Sequence, residues 1–268
     1  MTRPMLTKEM FTENLQRLGL SPGDSLYIHT DPIKAAWLVG GPDIILDAAT
    51  RIVGTNGTLT TFCGWENASV FMNIEKLSEE VKKMYIDHCP AFHIKLSRGE
   101  TSYNPMNEIM RSRQGSFRSA HPQASFVSLG SKARLITEKQ PASYPYGKNS
   151  PLERLFNSDA KVLLFGSDIE MLPVFFYSES VCQADKKITR KYKIPVQNKG
   201  KKEWLTIEDI DIQNGITTDH KKYRSLIFQN FLESGHVRGI RLGNADCYLF
   251  DMATLHDFTV DWIKYNIK

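Results

Sequence analysis

Short apolar runs separated by helices with one apolar face narrow the folds open to this chain more than any other feature. Leu26-Tyr27-Ile28 is one such run, and Gly57-Thr58-Leu59-Thr60-Thr61-Phe62 is a second. Both are too short for a helix and sit beside turn residues, so they read as strands. Between them, Pro42 to Val53 carries Ile44, Ile45, Ala48, Ala49 and Ile52 at helical spacing and stops at Gly54. The alternation returns with Phe126 to Leu129, Ala133 to Thr137 and Val162-Leu163-Leu164-Phe165. A strand and a one-faced helix each need an apolar partner, and alternating them supplies it. The sequence therefore predicts a layered α/β fold with a central, mostly covered sheet.

The rest of the chain fits around that unit. Thr7 is placed to cap a first helix with Met10, Phe11, Leu15 and Leu18 on one face, ending at Gly19. Lys187 to Val196 and Glu203 to Ile210 break the rhythm and read as a β-hairpin around Asn198-Lys199-Gly200, an appendage over about 186–211. Lys186, Lys187, Arg190, Lys191, Lys193, Lys199, Lys201 and Lys202 crowd this segment. A solvated ribbon face is the plainer reading of such a run and an anion site the sharper one. A helix from about Asp219 to Glu233, strands at Val237 to Leu242 and Cys247 to Phe250, and a helix capped by Asp251 complete the pattern. No internal repeat or low-complexity linker divides the 268 residues, so one domain over 1–268 is expected.

Composition excludes several classes. With 41% hydrophobic and 24% charged positions the chain can bury a sizeable core, and disorder as its main state is ruled out. No apolar stretch is long enough for a membrane span, and Met1-Thr2-Arg3-Pro4 begins no signal peptide, so a cytoplasmic protein is expected. A net charge of +4 is too small to indicate nucleic-acid binding. Cys63, Cys89, Cys182 and Cys247 lie far apart without zinc-type spacing, so neither a disulfide framework nor a metal site is expected.

Polar or Gly-rich loops follow several predicted strands, where open α/β sheets build their sites. The first runs from His29-Thr30-Asp31-Pro32 to Gly40-Gly41-Pro42, a helix start whose free N–H groups can hold a phosphate or simply turn the chain. The second is Arg118-Ser119-Ala120-His121-Pro122. The third is Tyr146-Gly147-Lys148-Asn149-Ser150-Pro151-Leu152, in which Ser150 is a natural helix cap. The fourth, Gly166-Ser167-Asp168-Ile169-Glu170, leads into Phe175-Phe176-Tyr177-Ser178-Glu179.

In this order and spacing, the loops resemble the antibiotic N-acetyltransferase family, whose best-known members are aminoglycoside 3-N-acetyltransferases. The resemblance covers nearly the whole chain. Leu18-Gly19-Leu20 with Pro22-Gly23-Asp24, His29 before Gly40-Gly41-Pro42, Ser125-Phe126, Gly130 and Ser150-Pro151-Leu152 carry it, and Arg118-Ser119-Ala120-His121-Pro122 is its most specific element. It implies a layered α/β/α fold with a central mixed sheet plus the hairpin. It also implies an acyl-CoA donor, no metal and an amine acceptor on a sugar. His29, Thr30, Asp31, Gly40, Gly41, Ser119 and Ser150 are then expected along coenzyme A. A homodimer stays open.

One departure shapes the expected acceptor. The aminoglycoside enzymes usually carry Thr-Ser-x-His-x-x-Glu where this chain has Pro173-Val174-Phe175-Phe176-Tyr177-Ser178-Glu179. The glutamate is kept as Glu179, but the expected base is Phe176, and a phenyl ring accepts no proton. His121 becomes the first base candidate, with Asp168 and Glu179 beside it; Glu170, His29 and His220 are weaker choices. Phe175, Phe176, Tyr177, Glu170, Arg190 and Lys191 are expected around the acceptor. The aromatic cluster and basic hairpin point to a nucleotide-linked amino-deoxysugar of a surface-polysaccharide pathway. Alternatives are an aminoglycoside 3-N-acetyltransferase with a relocated base and a non-catalytic acyl-CoA-binding protein.

Overall fold

The computed structural model describes residues 4–102, 105–183, 187–212, 215–216, 223–235 and 237–267. The chain runs β1 (Met5–Leu6), α1 (Lys8–Leu18), β2 (Ser25–Thr30), α2 (Pro32–Ala35), β3 (Trp37–Leu38), α3 (Asp43–Val53), β4 (Thr58–Phe62), α4 (Ala68–Met72), α5 (Glu79–His88) and α6 (Met106–Ser112). It continues β5 (Phe117–Arg118), β6 (Phe126–Gly130), α7 (Ala133–Thr137), α8 (Pro151–Phe156), β7 (Lys161–Phe165), α9 (Pro173–Val181), β8 (Thr189–Asn198) and β9 (Lys201–Ile210). Last come α10 (Tyr223–Glu233), β10 (Arg238–Leu242), β11 (Ala245–Asp251) and α11 (Met252–Asn266).

Among the described residues the main sheet has seven strands in the order β10-β11-β7-β2-β4-β6-β5. β7, β2 and β4 pair in parallel at its centre, and the outer pairings are antiparallel. Side chains alternate across a strand, and here the alternation builds two cores. Leu26, Ile28, Leu163 and Phe165 face α1, α3 and α6 in one. Tyr27, Val162 and Leu164 face α8 to α11 in the other. The central mixed sheet is thus covered on both faces, as expected.

Local chemistry sets the ends of these elements. Thr7 caps α1 by accepting from the Met10 N–H, and Gly19 closes it at φ 107°. Met10 itself is exposed; Phe11, Leu15 and Leu18 make the buried face. In the hairpin Lys199 and Gly200 both have positive φ, as a two-residue turn matching the strand twist requires. Tyr192, Ile194 and Ile207 pack its inner face on Trp65, Ala68 and Phe71, a third small core. The expected hairpin reaches back to Lys186 and the expected helix to Asp219; both residues, with His220, lie outside the described ones. Among the described residues no helix is long and apolar enough to cross a membrane.

Candidate active site

A cavity of about 240 Å³ opens at the carboxyl ends of β2 and β4. His29 from β2, Phe62 from β4, Met72 from α4, Tyr146 before α8, Phe176 from α9 and Arg190 from β8 line it, with Trp65, Glu100 and Gln123 from the intervening loops. The hairpin therefore forms a wall of the cavity rather than a remote appendage.

His29 is buried, and its Nε2 lies 3.0 Å from the carbonyl oxygen of Asp168. A carbonyl only accepts, so Nε2 carries the proton and Nδ1 keeps its lone pair, for which the described residues offer no donor. Burial lowers its pKa to about 4, against smaller opposing contributions from Asp168, so the ring is neutral at pH 7. His121 has the same Nε2 arrangement, 3.0 Å from the Ala142 carbonyl, but its Nδ1 accepts from the Ala124 N–H at 2.9 Å. Both nitrogens hold backbone, and His121 is not in the cavity wall. The geometry leaves it no nitrogen for a substrate proton, which corrects its place as first base candidate.

Glu179 is 1% exposed and bound by Arg224 through two bonds, Nε to Oε1 at 2.6 Å and Nη2 to Oε2 at 2.8 Å, with the Tyr223 hydroxyl also donating to it. The Arg224 guanidinium lies over the Phe176 ring, 4.8 Å from its centre. Glu179 is thus a fixed ion-pair partner behind the wall. Asp168 caps the turn Ile169–Met171 by accepting from the Glu170 N–H, and Glu170 accepts from the Ser225 N–H at 2.7 Å. Neither reaches the cavity.

Helical geometry separates the three aromatic residues. Successive residues of α9 point about 100° apart. Only Phe176 lines the cavity, in edge contact with Tyr146; Phe175 is fully buried, and Tyr177 packs on Phe156 and His256. Strand alternation likewise separates Arg190, in the wall, from Lys191, which lines an outer groove with Trp204. Phe175, Tyr177 and Lys191 are thus not cavity residues.

The serines expected along coenzyme A are engaged internally. Ser119 Oγ donates to Gln140 and accepts from the Phe126 N–H, and Ser150 Oγ caps α8. Thr30 is buried at the end of β2, its hydroxyl without a partner among the described residues, and Asp31 is the N-terminal flank of α2. Gly40 and Gly41 turn the chain into α3 with φ 101° and 77°, and open space lies beside Gly41. Arg113 reaches the same helix start, on Asp43 at 2.7 Å and Asp47 at 3.0 Å.

Sequence reasoning missed Trp65, Gln123 and Tyr146 as site residues. Gln123 directly follows the Arg118 to Pro122 motif, and Tyr146 opens the third loop, so proximity to motifs was the available signal. Trp65 carried none, because only tertiary packing brings it, with the α4 that follows, against the hairpin.

The family model described as aminoglycoside 3-N-acetyltransferase matches residues 27–264. The chain is similar to aminoglycoside N(3)-acetyltransferase VIII of Streptomyces fradiae, 30% identical over 97% of this chain and 92% of the relative. It is 29% identical to aminoglycoside N(3)-acetyltransferase III of Pseudomonas aeruginosa, over 96% and 93%. Among solved structures, aminoglycoside acetyltransferase AAC(3)-Xa superposes with TM-score 0.91 at 30% identity, covering 98% of this chain and 94% of that one. AAC-IIIb as a binary complex with CoASH superposes with TM-score 0.88 at 29% identity, covering 97% of each.

These findings overturn the nucleotide-linked amino-deoxysugar and the surface-polysaccharide role expected from sequence. Relatives matching nearly end to end are named for aminoglycosides. The physical grounds for the expectation also weaken, since one aromatic residue of the cluster, rather than three, meets the cavity, and Lys191 faces away from it. On family match, identity and coverage together, the chain belongs to the aminoglycoside 3-N-acetyltransferase family of acyl-CoA-dependent N-acyltransferases.

Proposed function

We propose that the protein acetylates a primary amine of an aminoglycoside-type amino sugar with acetyl-CoA as donor. The observation that carries this reading is the cavity at the carboxyl ends of β2 and β4, where a neutral histidine, a carboxylate and aromatic walls converge. The family match and the relatives' names supply the reaction class.

The chemistry is a direct exchange. The amine lone pair attacks the thioester carbonyl carbon, the new N–C bond forms, the C–S bond breaks, and the amine proton leaves as the thiolate takes one up. Attack needs the amine neutral, and its proton needs an acceptor. Nδ1 of His29 is the unpartnered lone pair in the wall, while Glu100 brings a carboxylate that draws an ammonium group in. With a pKa of about 4 His29 does not store the proton at pH 7, so it relays the proton within the cavity to the departing thiolate. Phe176 and Trp65 keep the reacting groups away from bulk water. The Gly40-Gly41 turn, with open space beside Gly41, is where we place the pyrophosphate of the donor; Arg113 at the same helix start is held by Asp43 and Asp47.

A thiol-release assay with acetyl-CoA and either sisomicin or gentamicin tests the reading. Amine-dependent release with one acetyl group added to the antibiotic by mass is expected. Release no faster than hydrolysis with both antibiotics overturns it.

A further inference from the structure

Trp65 and Glu100 line the cavity, yet neither stands on a strand or a helix. Trp65 lies in the turn after β4, and Glu100 ends an irregular stretch, residues 91–100, whose one sheet-like contact is the bridge of Phe92 to Val196. Ordering such a stretch costs backbone entropy that no ladder of hydrogen bonds offsets, so side chains must hold it.

Arg118 of β5 supplies the hold. Its guanidinium lies over the Phe92 ring, 4.8 Å from the centre. Nη2 donates to the carbonyl of Gly64, the residue before Trp65, and Nη1 donates to the carbonyls of Ile94 and Ser97. Nε donates to Ser125 Oγ at 3.1 Å, and that hydroxyl donates in turn to the Gly64 carbonyl at 3.2 Å. Backbone bonds then tie the two loops to each other. The Glu100 N–H donates to the Cys63 carbonyl at 2.8 Å, and the Glu66 N–H to the Arg98 carbonyl at 3.3 Å. The Ser102 N–H donates to Glu100 Oε1 at 2.8 Å, which sets the direction of the carboxylate.

A guanidinium is a planar fork of five N–H donors, so one side chain can bind three carbonyls and a hydroxyl at once. Lysine brings the same charge, but its three donors radiate from a single atom. Among the described residues the hydrogen-bond partners of Arg118 are these carbonyls and the hydroxyl, with no carboxylate in the set. Its geometry, rather than its charge, is what the loops use.

We propose that Arg118 is a positioning residue for the acceptor: it holds loops 63–66 and 91–100 so that Trp65 and Glu100 meet the acceptor's ammonium group as a preformed wall. The proposal rests on the reading that Glu100 draws that ammonium in. It also gives the Arg118-Ser119-Ala120-His121-Pro122 motif one role, since Ser119 and His121 hold backbone as well. A preformed wall lowers the ordering cost of binding, so loosening it weakens acceptor binding and spares the donor.

Steady-state kinetics with sisomicin and acetyl-CoA compare the wild type, Arg118→Lys, Glu100→Gln and the double variant. Each single variant is expected to raise the KM for sisomicin about tenfold, with kcat within about twofold and the KM for acetyl-CoA unchanged. The double variant is expected to fall well short of the roughly hundredfold rise that independent effects give, because a carboxylate that is gone needs no placing. A sisomicin KM unchanged in Arg118→Lys, a raised acetyl-CoA KM in its place, or a full multiplication in the double variant overturns the proposal. Hydrogen exchange of the ligand-free protein, read by mass spectrometry, does not depend on acyl transfer. Arg118→Lys is expected to speed exchange in 63–66 and 91–100 together while α1 and α9 keep their rates. Unchanged exchange in the two loops, or faster exchange throughout, overturns the proposal, because the residue then holds either nothing or the whole fold. If Arg118→Lys does not fold, Ser125→Ala takes its place, keeping the guanidinium but losing the hydroxyl between Nε and Gly64. A smaller rise in the sisomicin KM is then expected, and an unchanged KM overturns the proposal. If the wild type acetylates neither sisomicin nor gentamicin but exchange behaves as expected, the acceptor reading fails while the fastening of the two loops stands.

Discussion

His29 and His121 each direct an Nε2–H at a backbone carbonyl, yet only His29 keeps a lone pair that no described donor takes. That one nitrogen separates a residue that can act from a residue that braces a loop. His29→Ala is expected to lower kcat about tenfold or more while acetyl-CoA affinity holds, read by steady-state kinetics and calorimetry. His121→Ala is expected to lower Tm instead, since it strips the partners of Ala124 N–H and Ala142 C=O. Glu179 offers a third case. Removing Arg224 leaves a buried carboxylate uncompensated, so Arg224→Ala is expected to cost about 3–5 kcal/mol in urea unfolding. Adding Glu179→Leu to that variant removes the orphaned charge and is expected to restore part of the loss.

Elements decide which of these residues can meet. The turn into α3 places Gly41 at positive φ with open space beside it, and Gly23, in the turn before β2, has the same two properties. Valine at either position strains the backbone by about 1–2 kcal/mol. Both variants are expected to lose similar Tm, but only Gly41→Val is expected to weaken coenzyme A binding, by about tenfold or more. Equal coenzyme A affinity in the two variants by calorimetry would show that the turn holds no donor.

Much of this architecture is legible in sequence, because the apolar runs of β2 and β7 and the helical period of α3 belong to their own residues. The hairpin turn is legible for the same reason, since Asn198-Lys199-Gly200 states its own φ requirement. The segment from Ala68 to Ser112 is not, because α5 buries none of its residues and so writes no apolar stripe. The four polar loops give the neighbourhood of the site. They cannot say which member of Phe175-Phe176-Tyr177 faces inward, nor pair Arg190 of β8 with Asp209 of β9, because rotation of α9 and hairpin register are settled by packing.

At the scale of the whole molecule the buried titrating groups set an acid limit. His29 and His121 fold with pKa values lowered from 6.5 to about 4, so the stability they contribute is complete above pH 6.5 and is lost as pH falls toward 4. Each is worth about 3 kcal/mol by linkage. Asp209, raised from 3.8 to about 7, works in the opposite sense, since protonation relieves it over the same range. One histidine's contribution is left uncancelled. Tm is expected to fall by about 5–10 °C between pH 7 and pH 4.5, and Asp209→Asn is expected to steepen that fall. A flat melting profile across this range would show that the histidines protonate without opening the fold.

Arg224 also touches more than its carboxylate. Its Nη1 donates to the carbonyl of Glu170, after β7, and to that of Ile212, just past the hairpin, while its other nitrogens hold Glu179 on α9. One side chain on α10 thus fastens the turn before α9, α9 itself and the residues just past the hairpin, stretches that border the cavity. Their amide protons should exchange with solvent as one cooperative unit, opening together or not at all. The wall that meets the acceptor would then answer to a single fastening, and slow collective breathing at Arg224, rather than independent loop motion, would set how often the cavity admits a sugar.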